Sequence, residues 1–276
     1  MPGNTSIGDH WNVTGVYDVI VAALEESGKS LDSLTLEDMA PVDHFHARGF
    51  PSTVELADEL PVKPGDHVVD LGCGLGGPAR YMAQRFGCTV TGIDLTESFV
   101  DAARRFTTLL GFEDRVRIDQ GDVQDLPYDD ATFDGAYAQH VTMNIPDRTR
   151  LFAEVCRALK PGGFFAITEH GRGDTGELHH PVPWSEDGSG EFLVTPKETR
   201  RLLEDAGFVD VKQVYTGSLY LEAYHNIIEL AAQGKVPPVG RHLLLGDTAV
   251  EKTRNSARNI EEGSTQPIRV TCCKPA

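Results

Sequence analysis

The stretch VVDLGCGLGG, residues 68–77, carries an apolar strand directly into a turn built from four glycines. A strand ending in Gly-x-Gly-x-x-Gly and opening a helix is the usual first unit of an open parallel sheet, with a ligand lying against the turn. The residues downstream keep that rhythm. PARYMAQRFG starts with Pro78 in its first helical turn and stops at Gly87, the proline-in, glycine-out asymmetry of helix ends. CTVTGID (88–94) reads as a second strand, and the helix from about Thr96 sets Phe99, Ala103, Phe106 and Leu110 on one face before Gly111. VRIDQGD and FDGAYAQ supply strands three and four. A helix over 147–160 turns Leu151, Phe152, Val155 and Leu159 inward and closes with Pro161-Gly162-Gly163 before strand five, FFAITEH. Thr195 and Glu198 stand at capping-box spacing in TPKETRRLLEDAGF, and FVDVKQVY and PIRVTCCK complete seven strands. The pattern predicts an α/β, doubly wound, mostly parallel seven-stranded sheet covered on both faces.

Three segments break the rhythm and are expected to act as lids. Residues 1–60 form an N-terminal helical lid, with helical patterns around 16–26 and 52–60, ahead of a main domain over 61–276. That domain carries a glycine- and proline-rich excursion at about 171–194 and a mostly helical insertion at about 218–265. Connections this long in a compact domain are usually functional. Trp184, Tyr220 and Tyr224 favour ordered cover over linker.

Charge and cysteine content narrow the partners. With 42 acidic against 25 basic residues, the net charge of -17 repels phosphate backbones, and no local basic patch offsets it. Nucleic acid is therefore not an expected partner. The longest apolar run before Lys29 is the short VIVAAL, and no stretch is long enough to span a membrane. The five cysteines form neither a disulfide framework nor a CxxC pattern, so a reducing cytoplasm is the expected home. His179 and His180, with His170 nearby, lack ligand spacing, and no metal is expected. Oligomeric state is left open.

The glycine turn alone does not choose its ligand, because the same fingerprint serves nicotinamide dinucleotides. The acids do. Asp70, Asp94 and Asp122 fall at the carboxyl ends of the first three strands, where open sheets bind ligands. Asp94 lies near the offset at which a carboxylate takes ribose hydroxyls, which suits any adenosine compound; such an acid can also merely cap the next helix. Asp70 discriminates, since it sits at the turn where a pyrophosphate would be repelled and an ammonium or sulfonium welcomed. S-adenosylmethionine has both cations, a ribose and no phosphate.

VVDLGCGLGG, GIDLTE, GDVQDLPYDDATFD and LKPGGFFAITE, in that order, resemble the motifs of the class I S-adenosylmethionine-dependent methyltransferases, over roughly residues 50–215. The resemblance implies a Rossmann-like methyltransferase fold with S-adenosyl-L-methionine as cofactor. It implies that Asp70, Gly72, Gly74 and Gly76 line the methionine end, that Asp94 takes the ribose hydroxyls, and that Leu95 packs beside the adenine. Asp122 would accept the adenine amino group, Val123 would address the ring through its backbone, and Gln139 would close the site near the cofactor ammonium. HFHARG and QHVTMNIPD are most similar to the small-molecule methyltransferases of the sarcosine/dimethylglycine, phosphoethanolamine and tocopherol type.

Methyl transfer from a sulfonium is a direct displacement that needs alignment and exclusion of water more than covalent help. An amine or hydroxyl acceptor adds the need for a base. His140, directly after strand four, is the first candidate, with a reference pKa near ~6.5. Asn144 and Tyr17 are candidates to position the acceptor, and Arg48 to hold the cofactor carboxylate. Fixed positive charge in the first two lids is limited to Lys29, Arg48 and Arg172, fewer than a phosphate group wants. The expected partner is a small-molecule methyl acceptor, an amine or amino-acid-like compound methylated on nitrogen. The alternative is O- or C-methylation of an aromatic or prenylated metabolite, in a pocket lined by Phe45, Phe50, Trp184 and Phe192.

Overall fold

The structure is a computed structural model and describes residue 11 and residues 14–276; the first part of the N-terminal lid expectation, 1–10 and 12–13, lies outside the described residues. Seven strands form one sheet: β1 His67–Leu71, β2 Thr89–Asp94, β3 Val116–Gln120, β4 Phe133–Gln139, β5 Leu159–Arg172, β6 Val209–Tyr215 and β7 Thr265–Cys273. Their order is β3-β2-β1-β4-β5-β7-β6. The pairs from β3 through β5 are parallel and β7 runs antiparallel to both neighbours, as the sequence pattern predicts for a mostly parallel doubly wound sheet.

Strand alternation sorts the core. Val69 and Leu71 face one side with Phe133, Phe152 and Phe165, while Val68, Val90 and Tyr137 face the other with Met82 and Val100. The first face is covered by α6 Arg148–Ala158 and α7 Pro196–Asp205, the second by α4 Gly77–Phe86 and α5 Glu97–Leu109. Gly87 ends α4 in the left-handed conformation, as read from the sequence. The capping box expected before α7 is half made: Thr195 accepts the Glu198 N–H at 3.2 Å, but the Glu198 carboxylate turns to Arg201 at 2.6 Å. Strand β5 starts earlier than expected, because Leu159 pairs with Phe133 before the Lys160–Gly163 bulge restores register at Gly135 and Phe164.

The three irregular segments gather above the carboxyl ends of the central strands. α1 Val16–Glu26, α2 Leu36–Asp43 and α3 Phe50–Glu59 precede the sheet. Val16, Ile20 and Leu24 recur at helical spacing and pack with Met39 and Val42 against Phe99 and Phe106 of α5. The Arg80 guanidinium, fully buried, donates to Asp43 at 2.8 Å and to the Leu75 carbonyl at 2.8 Å, tying α2 to the glycine turn. The excursion is irregular after Arg172, and Asn144 holds it by donating to the Trp184 and Gly190 carbonyls, both at 2.9 Å. The insertion consists of α8 Gly217–Ala232, α9 His242–Leu245 and α10 Ala249–Glu261. No helix among the described residues is long and apolar enough to cross a membrane.

Candidate active site

Under these segments lies a cavity of about 140 Å³ whose floor is the glycine turn. Gly72 and Gly74 have φ of +66° and +52°, which side-chain-bearing residues rarely adopt. A Cβ on Gly72 would come within 2.4 Å of Val141, and one on Gly74 within 2.9 Å of the Phe45 ring. The turn is bare because its backbone takes positive φ and the Val141 and Phe45 side chains pack directly against it.

Acids frame this end. Asp70 is 2% exposed and its Oδ2 has no hydrogen-bond partner among the described residues. Burial pushes its carboxyl well above the usual range; the Tyr137 hydroxyl offsets part of that rise and the Asp94 charge adds to it. Asp94 accepts the Gly74 and Thr96 N–H groups, each at 2.9 Å. Burial raises its pKa too, against the pull of those two donors. Asp122 accepts the Gln124 N–H at 2.8 Å in an Asx turn. Leu95, Val123 and Gln139 complete this side of the lining. The Gln139 Oε1 accepts from the Thr53 hydroxyl at 3.3 Å, while its Nε2 is buried without a partner among the described residues.

The opposite wall is histidine and aromatic. His140 turns off the end of β4 at a φ of +59°, a strained conformation for a side-chain-bearing residue that its N–H bond to the Thr168 carbonyl, 2.8 Å, helps to hold. Its Nε2 lies 2.8 Å from the Tyr220 hydroxyl, and its ring stacks on His46 at 5.5 Å between centroids. Burial, reinforced by His46 and His170, drives the His140 pKa well below 6.5, so the ring is neutral at physiological pH. His46 is likewise pushed down, to about 4. Since Thr53 has a single hydroxyl proton and gives it to Gln139, the nitrogens facing it, His44 Nδ1 at 2.9 Å and His46 Nε2 at 3.2 Å, must donate. That leaves His46 Nδ1 a buried acceptor with no partner among the described residues. Behind this wall Glu169, fully buried, accepts from Arg148 at 2.7 Å, Thr199 at 2.7 Å and Thr142 at 2.5 Å. The network pins the short 3-10 turn Thr142–Asn144, which presents Met143 and Asn144 to the cavity.

Residues 69–167 match the family model described as a methyltransferase domain. The matched stretch is a methyltransferase domain. The methyltransferase GfsG of Streptomyces halstedii is 36% identical over 132 residues, 48% of each protein. The sarcosine/dimethylglycine N-methyltransferase of Halorhodospira halochloris is 32% identical over 175 residues, 63% of this chain and 62% of that protein. The matched regions thus span between about half and two thirds of these two relatives. The geranyl diphosphate C-methyltransferase of Streptomyces coelicolor, solved with S-adenosyl-L-homocysteine, superposes with a TM-score of 0.74 at 21% identity, covering 99% of both chains.

Within the methyltransferase domain, eight of the residues singled out in the sequence for the cofactor line the cavity together: Asp70, Gly72, Gly74, Asp94, Leu95, Asp122, Val123 and Gln139. His140 and Asn144 line it as well. Three others stand elsewhere. Tyr17 packs on Phe106 at 4.7 Å under the Arg105 guanidinium, 3.4 Å from its ring. Arg48 is held by both Glu55 oxygens, at 2.7 and 2.6 Å, and is correspondingly unavailable to a carboxylate ligand. Gly76 faces the Arg80 guanidinium, 2.9 Å from where its Cβ would be. Asn144 spends its amide protons on the excursion, so only its Oδ1 is left for a ligand. Of the expected apolar liners Phe45 and Trp184 face the cavity, whereas Phe50 packs edge-on against Tyr81 and Phe192 is 39% exposed. Sequence reading missed His46, Tyr224 as a liner and Arg241. For His46 the repeat of histidines in HFHARG was the available signal; for Arg241 it was a lone cation inside the apolar run PPVGRHLLLG.

Proposed function

We propose that this chain is an S-adenosylmethionine-dependent methyltransferase that methylates the nitrogen of a small amine or amino-acid-like acceptor. The observation that carries the cofactor assignment is the buried Asp70 carboxylate, whose Oδ2 has no hydrogen-bond partner among the described residues, beside the bare glycine turn. That site suits an ammonium or sulfonium and repels a pyrophosphate. Two further acids, Asp94 and Asp122, line the same cavity and offer acceptors for a ribose and an adenine amino group. The cofactor bound there supplies an electrophilic methyl group on a sulfonium. Asp70 then orients the cationic end, Asp94 the ribose, and Leu95 and Val123 flank the base. Phe45, Trp184 and the segments that carry them exclude water, the role expected of lids. His140 is neutral and can take a proton at one ring nitrogen while the other shares one with Tyr220, which fits a base for an ammonium or hydroxyl acceptor.

The likeness to a sarcosine/dimethylglycine N-methyltransferase supports nitrogen as the target. A second reading, C-methylation of an apolar metabolite, is favoured by the aromatic cluster of Trp11, Phe45 and Phe99, with ring centroids 5.6 to 6.2 Å apart. Calorimetry with S-adenosylmethionine and NAD, followed by an acceptor screen with labelled methyl and mass spectrometry of the product, tests both. Binding of NAD with none of S-adenosylmethionine would overturn the cofactor assignment, and label on carbon would select the second reading.

A further inference from the structure

Three arginines carry guanidinium nitrogens buried inside the molecule, Arg80 and Arg148 as wholly enclosed side chains and Arg241 as a half-buried one, and their partners differ. Arg80 has Asp43 at 2.8 Å and Arg148 has Glu169 at 2.7 Å, each a buried carboxylate. Arg241 forms no ion pair among the described residues. Its Nη2 donates to the Thr253 hydroxyl, a neutral oxygen that is itself spent on the Ala249 carbonyl at 2.7 Å. Its Nη1 is buried with no partner among the described residues. Arg241 is also the member of the trio that lines the cavity, alongside Tyr224 and Leu245.

A guanidinium cannot shed its charge as a lysine can, and a buried charge without a counter-ion is strongly unfavourable. Folding tolerates it where a ligand supplies the missing anion, and a guanidinium matches carboxylate and phosphate geometry. The carboxylates lining the cavity are already engaged or lie at the strand ends: Asp43 is paired with Arg80, and Asp70, Asp94 and Asp122 surround the glycine turn. The cavity is therefore polarised, acidic at the turn and cationic at α9, and its lining includes the stacked neutral rings of His46 and His140. The Arg241 charge also helps to depress the His46 pKa, so the two groups sense each other across the wall.

We propose that Arg241 is the anchor for a negatively charged group of the methyl acceptor, a carboxylate or phosphate held at the α9 end while its reacting atom reaches past His46 and His140 toward the glycine turn. This deepens the methyltransferase reading and rests on it. A neutral amine or an uncharged terpenoid would leave the guanidinium unpaired and is disfavoured as a substrate.

The test uses the full chain saturated with S-adenosylhomocysteine and titrated by calorimetry with N,N-dimethylglycine, phosphoethanolamine and the uncharged-tail analogue N,N-dimethylethanolamine. At least one anion is expected to bind at least tenfold tighter than dimethylethanolamine, and which one distinguishes carboxylate from phosphate. Arg241→Gln should erase that preference, Arg241→Lys should retain part of it, and both variants should keep S-adenosylhomocysteine affinity within about twofold. Equal binding of dimethylethanolamine and the probes that carry an anionic group, no saturable binding of either of those probes, or an unchanged preference in Arg241→Gln overturns the inference while intact S-adenosylhomocysteine binding leaves the cofactor site standing. Failure of the wild type to bind S-adenosylhomocysteine overturns the methyltransferase reading and this inference with it.

Discussion

The two ends of the cavity are built in opposite ways. The acidic end comes from the carboxyl ends of three consecutive strands, with Asp70 and Asp94 closing β1 and β2 ahead of their helices, Asp122 in the loop from β3 to β4, and the glycines between the first strand and its helix. The other end joins His46 after α2, His140 after β4, Trp184 in the excursion, Tyr224 on α8 and Arg241 before α9. The first is fixed by the rules of an open parallel sheet, which put ligands at strand ends. The second exists only when segments far apart in the chain dock together. Such a division lets one scaffold keep its cofactor site while its acceptor site varies, which is why fold alone does not name the substrate.

The sharpest way to break this division is to attack the network beneath the acceptor wall. Arg148→Ala would leave the buried Glu169 carboxylate without its cation, and breaking such a pair costs about 3–5 kcal/mol. Urea unfolding should show the loss. If the two ends are separable, a variant still folded in dilute buffer should keep more of its affinity for S-adenosylmethionine than of its turnover.

His140→Ala probes the acceptor end directly. Turnover should fall roughly 10²-fold, the scale of a positioned base, with cofactor affinity changed less than about threefold. The pH profile adds a sign. Because burial holds the imidazole pKa well below 6.5, the base is already free at neutral pH. The limb caused by its protonation belongs on the acid side, with the rate falling as pH drops through that lowered value. A limb centred near neutrality that persists in His140→Ala would assign the base elsewhere.

Asp94→Ala is the matching change at the acidic end. Loss of a charge-assisted acceptor is worth roughly 1.5–3 kcal/mol, so calorimetry should show S-adenosylmethionine affinity falling about tenfold or more. Turnover at saturating cofactor should fall by a smaller factor than affinity. A turnover loss as large as in His140→Ala would mean that the two ends act as one unit.

The last expected effect concerns stability. His46 and His170 are held neutral by burial, with pKa values pushed to about 4 and about 3. The unfolded chain binds their protons near ~6.5, so their contribution is complete above that pH and is lost as pH falls toward the folded values. Urea midpoints should therefore decrease between pH 7 and pH 5, by up to about 1.4 kcal/mol per histidine per unit. His170→Phe should flatten the slope, and an unchanged slope would place the acid sensitivity in other groups.

How far each end could be read beforehand follows from what generates it. Asp70, Asp94 and the glycines are legible because strand, turn and acid are neighbours in sequence, and local chemistry dictates their arrangement. His140 was legible for the same reason, as the residue at the end of a strand, yet its neutrality was not, since that depends on burial beside His46 and His170. Tyr17 and Arg48 carried suitable chemistry, but Arg105, Phe106 and Glu55 occupy them, and nothing local announces such partners.

The sequence by itself determined the sheet, its strand-end acids and the bare turn, because hydrophobic periodicity, glycine placement and the offset of Asp94 act over a few residues to a few turns. Only the tertiary structure decided which polar groups face the cavity and in what charge state. Arg241 shows the reason: its consequence lies not in being an arginine but in donating to Thr253 with a second nitrogen buried and no ion pair among the described residues. Burial and the choice of partner depend on the packing of distant segments, and those two quantities set whether a charge is spent inside the protein or left for a ligand.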